Sequence, residues 1–261
     1  EAIRLVGDPD APRLMTQRTE IDLTGKMQSW ADRRVKELEK EGLCGFVFKS
    51  KSPSSGMARV KVYNGKGGLS GSAPGMFART FMAHFPLLPV EEDGRLHDVD
   101  LRENFIERIF TLSRFRDALE PAPTMNGLMQ FHARHKLLIM SHNQENLRAM
   151  GRLLAGTDKA RAAAVAAEYE GMLLKTLALR ATVRKHTNVL QHMMGYFKKD
   201  LSADEKAELL DIITSYRNGL TPLIVPITMI QHYVRKYDVA YLADQLYLHP
   251  HPTELKLRNH A

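Results

Sequence analysis

A change of pattern near residue 120 constrains this chain more than any other feature. Up to that point helical and strand-like apolar spacings alternate, and after Pro121-Ala122-Pro123 every periodic stretch is helical. A stiff Pro-Ala-Pro joint with different periodicities on its two sides predicts two domains. The expectation is an α/β domain over residues 1–120, incomplete at its start, followed by an all-α helical domain over 124–261. A length of 261 residues with 44% hydrophobic residues can supply each part with a core.

Within the first part, Met27, Trp30, Ala31, Val35 and Leu38 recur at helical spacing over 24–41, and Gly42 supplies a stop. Residues 43–48 and 59–63 read as strands around the turn Ser52-Pro53-Ser54-Ser55-Gly56. Gly65, Gly67, Gly68, Gly71 and Gly75 predict a flexible connector, since their spacing matches neither a P-loop nor a dinucleotide fingerprint. A helix over 74–85, a strand over 87–90 and a helix over 98–119 complete this part.

Beyond the joint, 125–154 reads as one long helix ending at Gly156, with Asp158 capping the next. That next helix runs towards Phe197 with a break near 186–188. Ser202-Ala203-Asp204-Glu205 has the form of a capping box, and Gly219 marks a stop. Pro222 can open the following helix, with Pro226 in its first turn or delaying its start. His249-Pro250-His251-Pro252 predicts a non-helical, extended strap.

Composition narrows the setting. The lone cysteine, Cys44, excludes a disulfide framework and fits a reducing, cytoplasmic compartment. It falls in a predicted strand and is expected to be a small core residue. The best apolar run, 220–230, is short and interrupted by Pro222 and Pro226, so no membrane span is expected. The opening Glu1-Ala2-Ile3-Arg4-Leu5-Val6 reads as the interior of a domain, and an N-terminal truncation is expected. A formal charge of +7 attracts polyanions, nucleic acid first among them, although a solvated basic surface accounts for it equally well.

Two constellations could carry chemistry. The first is Lys49-Ser50-Lys51-Ser52-Pro53-Ser54-Ser55-Gly56-Met57, where Pro and Gly fix a turn that presents serines at a strand end beside Lys49 and Lys51. A polar connecting turn is the plainer reading of it. The second is helical: His132, Arg134, His135, Lys136 and His142, then His186, Asn188, Gln191, His192, Tyr196 and Lys198, then Arg217, His232, Arg235 and Lys236. No His-Glu-x-x-His is present and no metal site is expected. Cations interleaved with rings suit RNA, because rings stack on unpaired bases while cations meet phosphates. Residue by residue, packing within a bundle is the commoner role.

Several of these segments, in this order, resemble a known family. Ile3-Arg4-Leu5-Val6-Gly7, the Lys49–Met57 turn, Leu87-Leu88-Pro89-Val90-Glu91-Glu92 and Leu101-Arg102-Glu103-Asn104-Phe105-Ile106-Glu107-Arg108 resemble the thiouracil desulfidase (TudS) domain. Phe131-His132-Ala133-Arg134-His135-Lys136, Asn188-Val189-Leu190-Gln191-His192, Gly195-Tyr196-Phe197-Lys198, Pro222-Leu223-Ile224-Val225-Pro226 and Leu257-Arg258-Asn259 resemble a YbgA-like helical domain. The resemblance implies an enzyme that removes sulfur from thiolated uracil, with 4-thiouridine in transfer RNA as target. It also implies a [4Fe-4S] cluster on three cysteines, one iron being left open for the sulfur. The first serine of the family's Ser-Pro-Ser-Cys-Gly motif, a helper in catalysis, falls on Ser52. The motif's cluster cysteine falls on Ser55, and the segment bearing the other two cysteines and the catalytic acid would precede Glu1. A hydroxyl is a poor iron–sulfur ligand, so the cluster is expected in the intact family member and not in this chain, which would then be inactive alone. Two other readings stand beside it: a binding module for thiolated RNA that has lost its cluster, and a desulfidase of free thiouracil.

Overall fold

A computed structural model describes residues 1–156, 161–252, 255 and 257–259. It shows an α/β region followed by an all-helical one, divided into two compact units, Glu1–Phe105 and Ile106–Ala261.

In the first unit, β1 (Ile3–Gly7) and β2 (Pro12–Thr16) form an antiparallel hairpin in which Ile3 faces Thr16. Helix α1 (Thr24–Leu38) follows, then β3 (Phe46–Phe48), β4 (Val60–Tyr63), β5 (Leu69–Ala73), α2 (Met76–His84) and β6 (Val90–Glu92). One sheet has the order β2-β1-β4-β5, with β4 parallel to β1 and β5 antiparallel to β4. Leu5, Leu14, Val60 and Val62 alternate onto its buried face, as a half-buried sheet requires. A second, two-stranded sheet pairs β3 with β6 in parallel, Phe48 opposite Glu92. Phe46, Phe48, Phe77 and Phe81 cluster around it, with the Phe46 and Phe81 ring centroids 4.4 Å apart.

The strands expected over 43–48 and 59–63 are present as the shorter β3 and as β4, and they belong to different sheets, so the serine turn links one sheet to the other. The expected flexible glycine connector contains β5, an edge strand whose small side chains leave no alternating apolar signal. The opening hairpin carries too few residues per strand to stand out by period.

Helix α3 (Val99–Asp117) spans the division, its residues from Ile106 onward belonging to the second unit. That unit continues with α4 (Met125–His142), α5 (Gln144–Ala155), α6 (Ala162–Leu177), α7 (Val183–Met194), α8 (Ala203–Arg217), α9 (Ile224–Lys236) and α10 (Ala240–Ala243). The single helix expected over 125–154 is broken at Asn143. Its extended backbone (φ −161°, ψ 118°) ends α4, and its side chain accepts the Asn146 N–H to cap α5. The break expected near 186–188 lies earlier, where Thr182 caps α7 by accepting the Lys185 N–H. Asp158 lies outside the described residues. Ser202 and Glu205 form the expected capping box, Gly219 has φ +73°, and Pro226 sits in the first turn of α9. Residues 244–252 are turns and bends instead of an extended strap.

The core of this unit includes Phe115, Leu128, Phe131, Tyr169, Leu190, Phe197 and Tyr247. Fully burying a Leu or Phe side chain stabilises by about 1.5–3 kcal/mol. Inside this apolar mass lies a charged cluster. Glu107, 5% exposed, meets His142 Nε2 at 2.6 Å and Arg258 Nη2 at 3.1 Å. His142 Nδ1 lies 2.6 Å from the Leu179 carbonyl, and Arg258 Nη1 donates to the Tyr247 carbonyl at 2.6 Å. Burial pushes the Glu107 carboxyl up, but the His142 hydrogen bond and the His142 and Arg258 charges outweigh it and hold the group below the usual carboxylate range.

Removing one partner of such a cluster strands the others in a dry interior. Glu107→Ala should therefore cost the helical unit roughly 3–5 kcal/mol, read as a lowered midpoint of its transition in urea unfolding. An unchanged midpoint would show the cluster to be dispensable.

Acid sensitivity follows from two histidines, the buried His135 and the half-buried His186. Burial pushes both His135 and His186 down from 6.5 to about 3, so the unfolded chain takes up their protons first. Stability is then complete above the unfolded value and falls as pH drops from 6.5 towards about 3, by up to ~1.4 kcal/mol per pH unit for each histidine. Unfolding free energies measured across that range should decline on acidification; a flat profile would contradict the assignment of both rings as neutral.

Candidate functional site

In the first unit the serine turn leaves the carboxyl end of β3, beside the carboxyl end of its parallel partner β6. Carboxyl ends of parallel strands are where open α/β sheets place ligands. Asp93, directly after β6, ties the two ends together by accepting from Ser50 Oγ at 2.6 Å and Ser50 N at 2.8 Å. Those bonds, with one from the Gly94 N–H, hold the Asp93 carboxyl down at about 2.

The turn itself is tightly built. The Ser52 carbonyl accepts the Gly56 N–H at 2.8 Å. Ser52 Oγ accepts the Ser55 N–H at 3.2 Å and shares a proton with Ser54 Oγ at 3.1 Å. The Pro53 carbonyl accepts from Met76 N at 3.1 Å, and the Ser54 carbonyl from Phe77 N at 2.8 Å and Ala78 N at 3.2 Å. The first free N–H groups of α2 are therefore met by the turn, which leaves that helix end closed to an anion. Neither flanking glycine has room for a side chain. A Cβ on Gly75 would stand 2.6 Å from the Ser54 carbonyl, and one on Gly56 2.4 Å from Val60 Cγ2.

Glu92, 6% exposed at the end of β6, holds the far side by accepting from Met57 N at 2.8 Å and Ala58 N at 3.4 Å. Sequence reasoning gave Glu92 no role, because its partners lie far back along the chain and no local pattern marks them. Ser52 and Ser55 are half-buried in this turn, while Lys49 and Lys51 are exposed beside it, Lys51 with φ +61°.

Cys44 precedes β3 and is half-exposed, its Sγ 3.7 Å from the Gly42 carbonyl, so it is neither a strand residue nor a core residue. The donors gathered at the turn are the hydroxyls of Ser52, Ser54 and Ser55. Hard oxygens, with the single thiol of Cys44 set against the Gly42 carbonyl before β3, do not fit a [4Fe-4S] cluster, which takes thiolates. Among the described residues no three His, Cys, Asp or Glu side chains gather as a metal site.

In the helical unit the candidate RNA residues separate by environment. His135 is 2% exposed, stacks on Phe131 with centroids 3.8 Å apart, and places its Nδ1 2.8 Å from the Phe131 carbonyl. Its burial removes it from any RNA surface. His132 is half-buried against the Tyr169 hydroxyl at 2.9 Å, while Arg134 and Lys136 are exposed. On α8 and α9, Arg217 and Arg235 are exposed and Lys236 lies 2.5 Å from Glu205 Oε1. His232 lines a groove of about 640 Å³ together with Glu205 and Glu208, an acidic setting for phosphate.

One group does converge. Asn188, Gln191, His192, Gly195, Tyr196 and Lys198 line an open cavity of about 480 Å³ at the end of α7. Tyr241, which sequence reasoning missed, stacks on Tyr196 with centroids 4.9 Å apart and planes 18° from parallel. Burial and the Tyr196 hydrogen bond push the Tyr241 hydroxyl up. Forty-odd residues of chain between the two rings hide this pairing from any local pattern.

With the geometry established, comparison with known proteins adds an independent line. The family described as 2-thiouracil desulfurase matches residues 1–93, and the one described as a protein of unknown function (DUF1722) matches residues 136–252. The Escherichia coli (strain K12) protein described as "Uncharacterized protein YbgA" is 33% identical over 153 residues, covering 58% of this chain and 90% of that protein. No solved structure matches this chain. The desulfurase match takes in the whole serine turn and Glu92, and it supports a desulfidase-type function for this region. No described helix is long and apolar enough to cross a membrane.

If Glu92 is what holds the turn in place, Glu92→Ala leaves two N–H groups unmet at a cost of about 1–3 kcal/mol. Hydrogen exchange at the Met57 and Ala58 amides should accelerate more than at the β1–β2 hairpin. Uniform acceleration across the unit would count against a local role.

Proposed function

The chain belongs to the YbgA family and carries a 2-thiouracil desulfurase region ahead of its helical part, and from that premise we propose that it serves the removal of sulfur from thiolated uracil in RNA. The substrate is 4-thiouridine in transfer RNA. The observation that supports this best is the joining of a desulfurase match over residues 1–93 to a helical unit with exposed cations and rings. The net reaction exchanges a thiocarbonyl sulfur for a water oxygen, releasing hydrogen sulfide, and needs no outside oxidant or reductant.

In this reading each unit has one task. Lys49 and Lys51 add positive charge at the turn for the substrate's phosphate. Ser52, oriented by the Ser55 N–H and Ser54 Oγ, is placed to pass a proton at the ring. Arg134, Lys136, His192 and Lys198 are the exposed candidates for RNA on the helical unit, whereas the exposed Arg217, His232 and Arg235 sit on α8 and α9 beside the acidic grooves. The base must leave its stack to reach the turn. The resemblance implies a [4Fe-4S] cluster as sulfur acceptor in the intact family member, and the hydroxyls present here do not fit one, so no step of the chemistry is assigned to such a group in this chain.

Ser55 favours a second reading, a binding module that holds thiolated RNA without turning it over. The second reading has the chain bind without reacting, and under the first the hydroxyl of Ser55 leaves it able to bind its substrate while turnover requires the thiolates of the intact family member. Incubated with tRNA containing 4-thiouridine, it should retard the tRNA in a gel while the thiouridine absorbance stays constant. Release of sulfide by this chain would overturn its inactivity. Absence of tRNA binding at low salt, where phosphate contacts are strongest, would overturn the RNA assignment.

A further inference from the structure

The geometry points to the cavity at the end of α7 as a receptor for one unpaired nucleobase, stacked on the Tyr196–Tyr241 pair with its phosphate on Lys198 and His192. This inference rests on the RNA reading of the helical unit and deepens it, because it names the form of RNA that the unit selects.

Asn188, Gln191, His192 and Gly195 fall at i, i+3, i+4 and i+7 of one helix, so they share a face, and Arg184 extends that stripe one turn earlier. Gly195, at the C-terminal end of the stripe, contributes no side chain, which leaves that end low. The chain then turns through Tyr196 to Lys198, which closes the cavity's far side. About 480 Å³ suffices for a base and part of its ribose.

Chemistry selects the occupant. Tyr196 is 44% exposed and Tyr241 36%, an uncommon display for rings with a buried core nearby, and their near-parallel stack forms a flat apolar platform. Base–aromatic stacking needs such a platform and accepts any base. The amides of Asn188 and Gln191 each offer donor and acceptor together, the pattern that reads the edge of an adenine or another base. Lys198 and His192 are exposed cations or potential cations at the rim, placed for the flanking phosphate. A duplex would bury its base faces and edges and could use only the rim, so the cavity fits a single-stranded loop or end.

The surface around α8 and α9 behaves oppositely. Asp204, Glu208 and Asp211 line one groove there, and Glu205, Glu208 and His232 the adjoining one. That field turns an RNA backbone away and leaves the α7 face as the favoured approach.

The test uses the chain as it stands with two probes, a fluorescein-labelled single-stranded oligoadenylate and a blunt RNA duplex of equal length, read by anisotropy. The single strand should bind more tightly. Tyr196→Ala should weaken it by about 5- to 150-fold, Tyr196→Phe should retain most of the binding, and neither should matter for the duplex. Lys198→Gln should lower the slope of log affinity against log salt by about 0.7 on the single strand. Equal affinity for both probes, or no effect of Tyr196→Ala, would overturn the base receptor. If Tyr196→Ala is silent while wild-type chain still binds tRNA, the receptor fails and the broader RNA reading stands. If the single strand binds through Tyr196 while tRNA does not bind, the receptor stands and the tRNA reading fails.

Discussion

A carboxylate placed in a hydrocarbon interior must either take a proton or gather cations, and Glu107 gathers cations. Its two oxygens face His142 and Arg258, and both of those partners then face backbone carbonyls, at Leu179 and Tyr247. Carbonyls only accept. His142 therefore donates from Nδ1 to Leu179 and sets Nε2 against the Glu107 carboxylate. Burying charge here would be costly without those carbonyls, and the cluster is complete only when α3, the end of α4, Leu179, Tyr247 and Arg258 are all in place. Lys185 adds to the same corner by donating to the His142 carbonyl at 2.7 Å. The apolar core supplies most of the driving force, and this cluster selects which arrangement of helices that force produces.

The first unit depends on a constraint of the opposite kind, the lack of atoms. The serine turn reaches the start of α2 closely enough for its carbonyls to cap the helix because Gly75 has no Cβ, and it closes on itself because Gly56 has none. Glu92 and Asp93 secure the turn from the adjoining strand. The outcome is three hydroxyls held at the carboxyl ends of two parallel strands by bonds that do not involve the hydroxyl of Ser55. A thiol at that position would change the ligand chemistry while leaving the turn's hydrogen bonds untouched, since Ser55 contributes its backbone N–H.

Much of this was legible in the sequence where a single residue carries a backbone requirement. Ser202 and Glu205, Gly219 and Pro226 mark helix ends through local hydrogen bonding or a fixed φ, and each lies where its chemistry demands. A cap inside a continuous apolar period was not legible. The period runs straight through Asn143, because the helices on either side both need buried residues, although its extended backbone ends α4 and its side chain caps α5. The site shows the same division. The serine turn was visible as Pro and Gly around hydroxyls, but the roles of Glu92, Glu107 and Tyr241 come from partners distant in sequence. His132 and His135 look alike in the sequence, three residues apart, and differ in what the fold puts against them: a tyrosine hydroxyl in one case, a phenylalanine face in the other.

The formal charge of +7 is also unevenly used. Lys236 is held by Glu205, Arg258 by Glu107 and Lys185 by backbone carbonyls, so these cations serve the fold. Arg184, His192, Lys198 and Lys199 remain exposed along α7 and its end, next to the stacked tyrosines. An incoming polyanion responds to the field of exposed charges rather than to the total, and screening over roughly 8–10 Å at physiological salt makes that field local. Acidic side chains along α8 add a repulsive neighbour to an attractive face. The combination gives the helical unit a direction of approach that net charge alone does not supply, and it brings the RNA backbone to a cavity whose walls can also recognise a base.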